Sequence, residues 1–295
     1  MIIDCHTHIW SSVDQIGKGG AAFLRRQAGR EAPQASPADH VQAANCVTKT
    51  LVFGLRCASN GANVPNDFIA RHVAGNAGKM YGVGAVDPND SDAADTAEEL
   101  LSRKEFCGLT VSPAFQDFHP ADSRAMKIYE IANRRKRPVF FCQGTHFLPC
   151  GRMDFARPAL LDEIANEFPT LRIVVSSMGH PWIEECIALV GKHANVYADI
   201  AGLIRRPWQT YNSMVLAHQF NVMDKLLFGS DFPFFTAAAA VESLYRMGEV
   251  TQGTNLPSVP REALRSVVER PALSVLGIES GDEGNGLTAQ DEELM

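Results

Sequence analysis

The chain has 295 residues, of which 45% are hydrophobic and 21% charged, so it can fill a sizeable core and is not a disordered protein. The formal net charge is −7, and the segment from Glu279 onward carries six acidic residues and no lysine or arginine. Almost all of the net charge therefore belongs to this tail, residues 279–295, which is predicted to be disordered. The rest of the chain has no basic surface of the kind that binds nucleic acid.

Cysteine usage and hydropathy indicate the cellular context. The seven cysteines are scattered, and none is in a Cys-x-x-Cys spacing, which is typical of reduced thiols in a cytoplasmic protein. No apolar run approaches the ~18 residues of a membrane span. An apolar strand opens the sequence with no basic segment before it, so no secretory signal is predicted. We expect a soluble cytoplasmic protein with no membrane or nucleic-acid partner.

Short apolar runs rich in β-branched and aromatic residues predict eight buried parallel strands. They span Met1–Ile9, Thr48–Arg56, Met80–Asp87, Phe106–Ser112, Pro138–Gly144, Leu171–Gly179, Asn195–Ile200 and Lys225–Phe232. Stretches with helical periodicity lie at Asp67–Gly78, Asp92–Glu105, Ser123–Arg137, Ala156–Pro169, Pro181–Ala194, Pro207–Asp224, Ala237–Val250 and Pro260–Gly277. This alternation predicts an α/β protein with one closed (β/α)8 barrel, a TIM barrel, over residues 1–278. A doubly wound open sheet is the alternative, but no glycine-rich phosphate loop follows the first strand.

The first connection of the predicted barrel, residues 10–45, is unusually long. It forms either part of a lid over the barrel mouth or an excursion over the surface, and the sequence leaves both interpretations open. Active sites of such barrels lie at the C-terminal ends of the strands. Polar residues at those ends are therefore the candidate site residues.

Two strand ends carry residues that can bind a metal ion. Asp4, His6 and His8 alternate along the first strand and are predicted to share one face, where two imidazoles can hold one ion. Asp231 follows the eighth strand and would lie beside the first strand once the barrel closes. A buried carboxylate needs a partner, and a cation held by His6 and His8 would be that partner. The alternatives are core histidines bonded to backbone carbonyls and a structural salt bridge for Asp231.

These motifs resemble the amidohydrolase superfamily, in particular the amidohydrolase-2 branch with aminocarboxymuconate-semialdehyde decarboxylase, benzoate-type decarboxylases and pyrone-dicarboxylate lactonase. The resemblance rests on Asp4-Cys5-His6-Thr7-His8, Gly179-His180-Pro181-Trp182, Asn195-Val196-Tyr197-Ala198-Asp199 and Gly229-Ser230-Asp231-Phe232-Pro233. It implies a metal-dependent hydrolase or a non-oxidative decarboxylase for a small carboxylated organic substrate. It also implies that His6, His8 and Asp231 bind a divalent metal, with Asp231 binding the ion or managing a proton.

Two positions depart from the family pattern. Relatives carry histidines at the ends of the fifth and sixth strands, where this chain has Cys142 and Ser177. A Cys142 thiolate would be a further ligand that selects zinc over manganese, and a buried core cysteine is the alternative. His146, four residues later, is a second candidate for the pocket. His180 is a candidate acid or base in place of the missing sixth-strand histidine, since an imidazole titrates near neutral pH.

These replacements keep other functions open. A metal-free hydrolase, as in one related lactonase type, agrees with the loss of two histidines. A barrel that binds a small ligand and has no catalytic activity is a third possibility.

Other residues are assigned from position alone. Trp10, just after the first strand, is predicted to wall the pocket. Arg56 ends the second strand and is a candidate for binding a substrate carboxylate, although a surface salt bridge is the more frequent role of such an arginine. The long first connection is basic and could face a partner subunit, which would make a homo-oligomer. Five histidines have no second candidate site residue at a suitable spacing in the sequence, and they are predicted to be structural: His40, His72, His119, His193 and His218.

Overall fold

Eight parallel strands form a ring in the computed structural model, which describes residues 1–28, 33–144 and 151–278. The strands are β1 (Ile3–His8), β2 (Lys49–Phe53), β3 (Leu55–Cys57), β4 (Ala62–Val64), β5 (Met80–Ala85), β6 (Phe106–Val111), β7 (Val139–Phe141), β8 (Ile173–Val175), β9 (Val196–Asp199) and β10 (Leu226–Leu227). All except β3 and β4 pair in chain order around the ring. The segment after β10 closes it onto β1, where Cys5 N donates to Phe228 O over 2.9 Å and Thr7 bridges Phe232. The predicted single-domain (β/α)8 barrel is confirmed.

Helices cover the outside of the ring and alternate with the strands. They are α1 (Gly20–Ala28), α2 (Pro37–Ala43), α3 (Asn66–Ala74), α4 (Ala93–Ser102), α5 (Pro113–Gln116), α6 (Ser123–Arg134), α7 (Asp162–Glu167), α8 (Ile183–Lys192), α9 (Pro207–Gln219), α10 (Ala237–Tyr245), α11 (Arg261–Val268) and α12 (Ala272–Val275). Single 3₁₀ turns adjoin them, among them Val13–Ile16, Pro158–Leu161 and Ser176–Gly179. Every helix within the described ranges is too short or too polar to cross a bilayer.

The predicted second strand ends earlier than expected. Residues Leu55–Cys57 leave the barrel and pair antiparallel with Ala62–Val64, so β3 and β4 form a separate hairpin over the barrel mouth. Alternation within this hairpin turns Leu55 toward the mouth and Arg56 away from it. The sequence pattern did not predict the hairpin, because its strands are only three residues long.

The predicted strands around β8 and β10 are also shortened, and the predicted helix Pro260–Gly277 is divided. The run Leu171–Gly179 is a strand only over β8, since Ser177 and Met178 have left-handed backbone angles (φ 53° and 48°) that turn the chain. The run Lys225–Phe232 is a regular strand only over β10, and the chain bends at Asp231 (φ 63°). The predicted helix Pro260–Gly277 splits into α11 and α12 at Pro271, which has no backbone N–H to continue the helix.

The barrel interior is filled by side chains from alternate positions of the strands. Cys5, Leu51, Phe53, Val83, Cys107, Phe140, Val174 and Leu227 pack there, and Leu273 of α12 and Leu276, just after that helix, join them. A second cluster packs the outer faces of the strands against the helices. This filled interior leaves the C-terminal mouth as the place where polar groups can gather.

A buried histidine pair lies on the outer side of β1. His40 of α2 contacts His72 of α3 (Nδ1···Nε2 2.9 Å), and its other nitrogen lies 2.9 Å from Thr7 Oγ1. The two histidines are 32 residues apart in the sequence, so the sequence pattern did not show their contact, and the fold brings them together. Burial and the charge of His72 lower the pKa of His40 to about 3.

This pKa predicts acid sensitivity. In the unfolded chain His40 becomes protonated below about pH 6.5, whereas in the folded protein it stays neutral down to about pH 3. The unfolded state therefore binds more protons between these values, and the free energy of unfolding falls as the pH is lowered from 6.5 to 3. The slope has an upper limit of about 1.4 kcal/mol per pH unit. We expect His40→Gln to lose less stability than the parent between pH 6.5 and 4.5. Urea unfolding in the presence of a chelator measures this, with His218→Gln as control, and equal slopes in parent and His40→Gln would contradict the assignment.

Candidate active site

A cavity of about 290 Å³ opens at the C-terminal ends of the barrel strands. The predicted site residues His6, His8, Trp10, Cys142, Ser177, His180 and Asp231 all line it. Trp10, Ile16 and Leu24 of the long first connection also line it, so this connection does cover the mouth. Gln143 Oε1 and Ser176 Oγ are buried without a hydrogen-bond partner among the described residues, and both side chains belong to the lining. The cavity therefore offers polar groups as well as an apolar surface to a ligand.

The two histidines of β1 face each other, but Asp4 does not share their face. The register of β1 against β2 shifts by one residue between Asp4 and Thr7, which is a β-bulge. Cys5 packs in the barrel interior and His6, the next residue, stacks on interior Phe53 with ring centroids 4.5 Å apart. The alternation that the sequence implied is broken between them. Asp4 instead accepts from Ser230 N over 2.9 Å, and burial raises its pKa to about 6.

Asp199 at the end of β9 orients His6. Its Oδ2 lies 2.9 Å from His6 Nδ1, while Oδ1 accepts from the backbone N–H groups of Ser177 and Ala201 (2.8 and 3.0 Å). Burial lowers the pKa of His6, but the charge and hydrogen bond of Asp199 outweigh it and raise the pKa to about 9. The partner carboxylate thus fixes the ring so that Nε2 faces the cavity, the arrangement that orients metal-ligating histidines.

The remaining ligand candidates converge on His6 Nε2. His8 Nε2 lies 3.1 Å from it, and burial together with the charge of His6 lowers the pKa of His8 well below its usual value. The ligand atoms of His6, His8 and Asp231 all lie within 4.8 Å of one another. Burial raises the pKa of Asp231, and the Arg205 guanidinium, 3.2 Å from Oδ2, opposes that shift. Asp231 is held in place by its N–H, which donates to His6 O over 3.0 Å.

The two positions that depart from the family pattern lie in the same cavity. Cys142 Sγ is 3.6 Å from Thr110 Oγ1, and within the described part of the chain the thiol does not join the group of three ligand atoms. Ser177 donates its backbone N–H to Asp199, so its contribution is to hold that carboxylate. His180 also lines the cavity, and burial and the charge of Arg206 lower its pKa.

Arg205 and Arg206 add positive charge to the cavity, and sequence reasoning missed both. Arg205 pairs with Asp231 and lies over the Phe234 ring, 4.8 Å from its centroid. Arg206 donates through Nη1 to Gly202 O over 2.7 Å. Both arginines directly precede Pro207, the first residue of α9, in the loop after the seventh barrel strand, a position typical of binding residues. Asp199 was missed as well, although a carboxylate that ends a barrel strand is the same kind of signal.

The expectation for Arg56 is corrected. Its guanidinium makes two hydrogen bonds to Asp90 (2.8 and 3.0 Å) and faces a separate polar cleft between β3 and α4, not the cavity. The hairpin explains this, because it turns Arg56 to the opposite side from Leu55. His146 and the tail 279–295 lie outside the described residues.

Gly229 allows the close approach of two strands at the site. A Cβ on residue 229 would lie 2.9 Å from His6 Cβ and 3.1 Å from Ala201 Cβ, neither of which can move without its backbone. We expect Gly229→Ala to lower the free energy of unfolding by about 1–3 kcal/mol and to weaken metal binding by displacing His6. Gly248→Ala is the control, since its Cβ would meet no atom within 4 Å. Denaturant unfolding and metal titration of both variants test this, and identical behaviour would refute the packing argument.

Comparisons with known proteins agree with this architecture. Residues 3–277 match the amidohydrolase family model. The curated proteins contain no match. A similar solved structure is an uncharacterised TIM-barrel protein from Bordetella bronchiseptica, with 19% identity, a TM-score of 0.73, and coverage of 94% of this chain and 98% of that one.

Two other similar structures carry functional names. A probable 2-pyrone-4,6-dicarboxylic acid hydrolase from Acinetobacter baumannii, solved with citric acid, is 13% identical (TM-score 0.65, 94% and 99% coverage). A dihydroxybenzoic acid decarboxylase from a Polaromonas species, with manganese and an inhibitor bound, is 14% identical (TM-score 0.63, 94% and 97% coverage). At these identities the structures establish a common fold. The family match covers nearly the whole chain, and the protein therefore belongs to the amidohydrolase family of TIM-barrel enzymes.

Proposed function

We propose that this protein is a divalent-metal-dependent hydrolase that acts on a small carboxylated organic compound. The observation that carries the proposal is the convergence of His6, His8 and Asp231 at the mouth of the barrel, in one cavity with Arg205 and Arg206. One cavity thus contains the three candidate metal ligands, two arginines and the imidazole of His180. This combination suits hydrolysis of an anionic substrate.

The residues present fit a divalent metal. Two imidazole nitrogens 3.1 Å apart approach the ~3.3 Å that two ligands of one tetrahedral zinc ion have, and a carboxylate completes a set of three. Three protein ligands leave positions for water and substrate, which is the pattern of catalytic sites. We propose zinc, which imidazole nitrogens suit, and manganese is the alternative because it is bound in the similar decarboxylase. Such an ion would polarise a substrate oxygen and acidify water.

Other side chains of the cavity would bind the substrate carboxylate, hold Asp231 in position and accept a proton. Arg206, with its planar guanidinium at the cavity, would bind the substrate carboxylate, and Arg205 would hold Asp231 in position. Burial and the charge of Arg206 lower the pKa of His180, which favours the uncharged imidazole that can accept a proton. Cys142 lines the same cavity and is a candidate for a further metal ligand. A homo-oligomer and a cytoplasmic location remain predictions from the sequence.

Non-oxidative decarboxylation is the second candidate function. The similar structures include 5-carboxyvanillate and dihydroxybenzoate decarboxylases, whose substrates also carry a carboxylate. The same donor set and the same arginines would serve this reaction. A metal-free hydrolase and a non-catalytic binding barrel are the further alternatives, because Cys142 and Ser177 replace two family histidines.

One experiment separates these functions. Protein purified without an affinity tag or added metal is analysed for its metal content. It is then assayed against carboxylated lactones, amides and phenolic acids, with carbon dioxide release recorded. Stoichiometric metal with acid production and no carbon dioxide supports the proposal, and carbon dioxide release supports decarboxylation. Turnover by metal-free protein, or ligand-induced thermal stabilisation without any turnover, would overturn it.

The carboxylate role of Arg206 gives a prediction of its own. We expect Arg206→Gln to raise KM for the carboxylated substrate by about 10- to 100-fold, the equivalent of one charge-assisted hydrogen bond, with a smaller change in kcat. The neutral methyl ester of the same substrate should show little change. Arg246→Gln, on an exposed arginine, is the matched control. Equal losses for acid and ester would refute the role.

A further inference from the structure

Part of the cavity lining is apolar and comes from outside the barrel strands. Five side chains form this surface, which we call the apolar wall: Trp10, Ile16, Leu24, Leu55 and Val64. The first three belong to the long first connection and the other two to the β3–β4 hairpin. None of the five carries a charge, so all charged groups of the described cavity lining lie elsewhere, at the strand ends and the loop after β9.

The apolar wall is built into the fold. Four of its members are at most 8% exposed, and only Leu55 is half-buried. The connection and the hairpin are tied together, since Lys18 N donates to Asn60 O over 3.0 Å. Gly17 packs so closely there that a Cβ would lie 2.6 Å from Asn60 Nδ2. Two separate segments thus cooperate to present one apolar surface to the ligand space.

We infer that the substrate has an uncharged apolar body, a ring or branched chain, that packs against the apolar wall while its carboxylate meets the arginines. The inference rests on the proposed function for the carboxylate end and adds the chemistry of the other end. A body of this kind gains affinity from each apolar group removed from water. A second charged group against the wall would lose its hydration and find no partner there. The cavity volume of about 290 Å³ is at the lower end for small-molecule sites, which fits one ring with a short substituent.

A ligand series tests the inference by calorimetry on the purified protein. The ligands are benzoate and its 4-methyl, 4-ethyl and 4-propyl derivatives, with terephthalate as the derivative that carries a second carboxylate. We expect affinity to rise about fourfold for each methylene until the cavity is full, because burying a methylene contributes about 0.8 kcal/mol. Terephthalate should bind at least about tenfold more weakly than 4-methylbenzoate, which has a similar size.

Two variants locate the effect at the apolar wall. Leu24→Ala removes a wall side chain, and Val64→Thr keeps the shape of the wall while it adds a hydroxyl; thermal unfolding of both variants checks that each is folded. Both should flatten the dependence of affinity on substituent length, and benzoate, which has no substituent, should lose less affinity than 4-propylbenzoate. Val41→Ala, on an exposed residue of α2 in the same connection, is the control.

The outcomes separate this inference from the proposed function. Equal affinities along the series, tightest binding of terephthalate, or no measurable binding of any member would overturn the inference, even if the enzyme hydrolyses another carboxylate. Length-dependent binding that both variants abolish supports it, even if no turnover is found and the proposed function fails.

Discussion

The double variant His6→Ala/His8→Ala is expected to lose the proposed divalent metal and at least about a thousandfold in turnover. Both Nε2 atoms face the same point, 3.1 Å apart, and Asp231 alone is too weak a ligand to retain the ion. Loss of the charge stabilisation that a metal supplies, worth several kcal/mol, corresponds to a rate loss of this size. Metal content after dialysis and steady-state turnover of the substrate found in the panel are the measurements.

A matched control removes two imidazoles elsewhere. His119 and His218 lie outside the cavity lining, so His119→Ala/His218→Ala should keep both metal and turnover. If the His6/His8 variant retained stoichiometric metal, or kept its turnover without it, the ligand assignment would be wrong. Thermal unfolding of both variants separates the loss of a ligand from the loss of the fold.

Asp231 is the third proposed metal ligand and, from the family resemblance, a candidate for proton transfer, so Asp231→Asn is expected to reduce turnover by about 10²- to 10⁴-fold. The amide keeps the shape of the side chain and can still accept from Arg205, but it can neither carry the charge nor hold the proton. Burial raises the pKa of Asp231, which means that the ionised carboxylate is a destabilising feature of the folded protein above that pKa. The asparagine variant should therefore be at least as stable at pH 7, while it is nearly inactive.

The control for this variant is Asp224→Asn, an exposed carboxylate that lies seven residues earlier. It should leave turnover and stability unchanged. Turnover of Asp231→Asn within tenfold of the parent, or a clear loss of stability, would show that Asp231 has a structural role only. Comparison of kcat with KM adds a check, because a proton-transfer group acts mainly on kcat.

Sequence reasoning reached the barrel because most barrel strands are short apolar runs, several of them buried on both faces. The order of strands around the ring follows from the chain order, so the nearness of His6 and Asp231 follows from closure alone. That closure also explains why two motifs more than two hundred residues apart were interpreted together. Their role as metal ligands remains a prediction, although the structure brings their ligand atoms together.

Local deviations from regular structure were not predictable. The bulge in β1 separates Asp4 from His6 and His8, and it leaves no mark in the alternating pattern. The β3–β4 hairpin reverses the direction of Arg56, because three-residue strands carry too little periodicity to recognise. Arg205 and Arg206 reach the cavity from a loop, and their direction depends on contacts with Asp231 and Phe234 for Arg205 and with Gly202 for Arg206.

The amino-acid sequence by itself determined the barrel, the family and the imidazole pair, since each follows from a local pattern whose period or motif is set along the chain. Only the tertiary structure decided which carboxylate orients His6, which arginines line the cavity and what covers the mouth. The physical reason is that these contacts join groups up to 193 residues apart, and their geometry depends on turns, bulges and packing that no local pattern encodes.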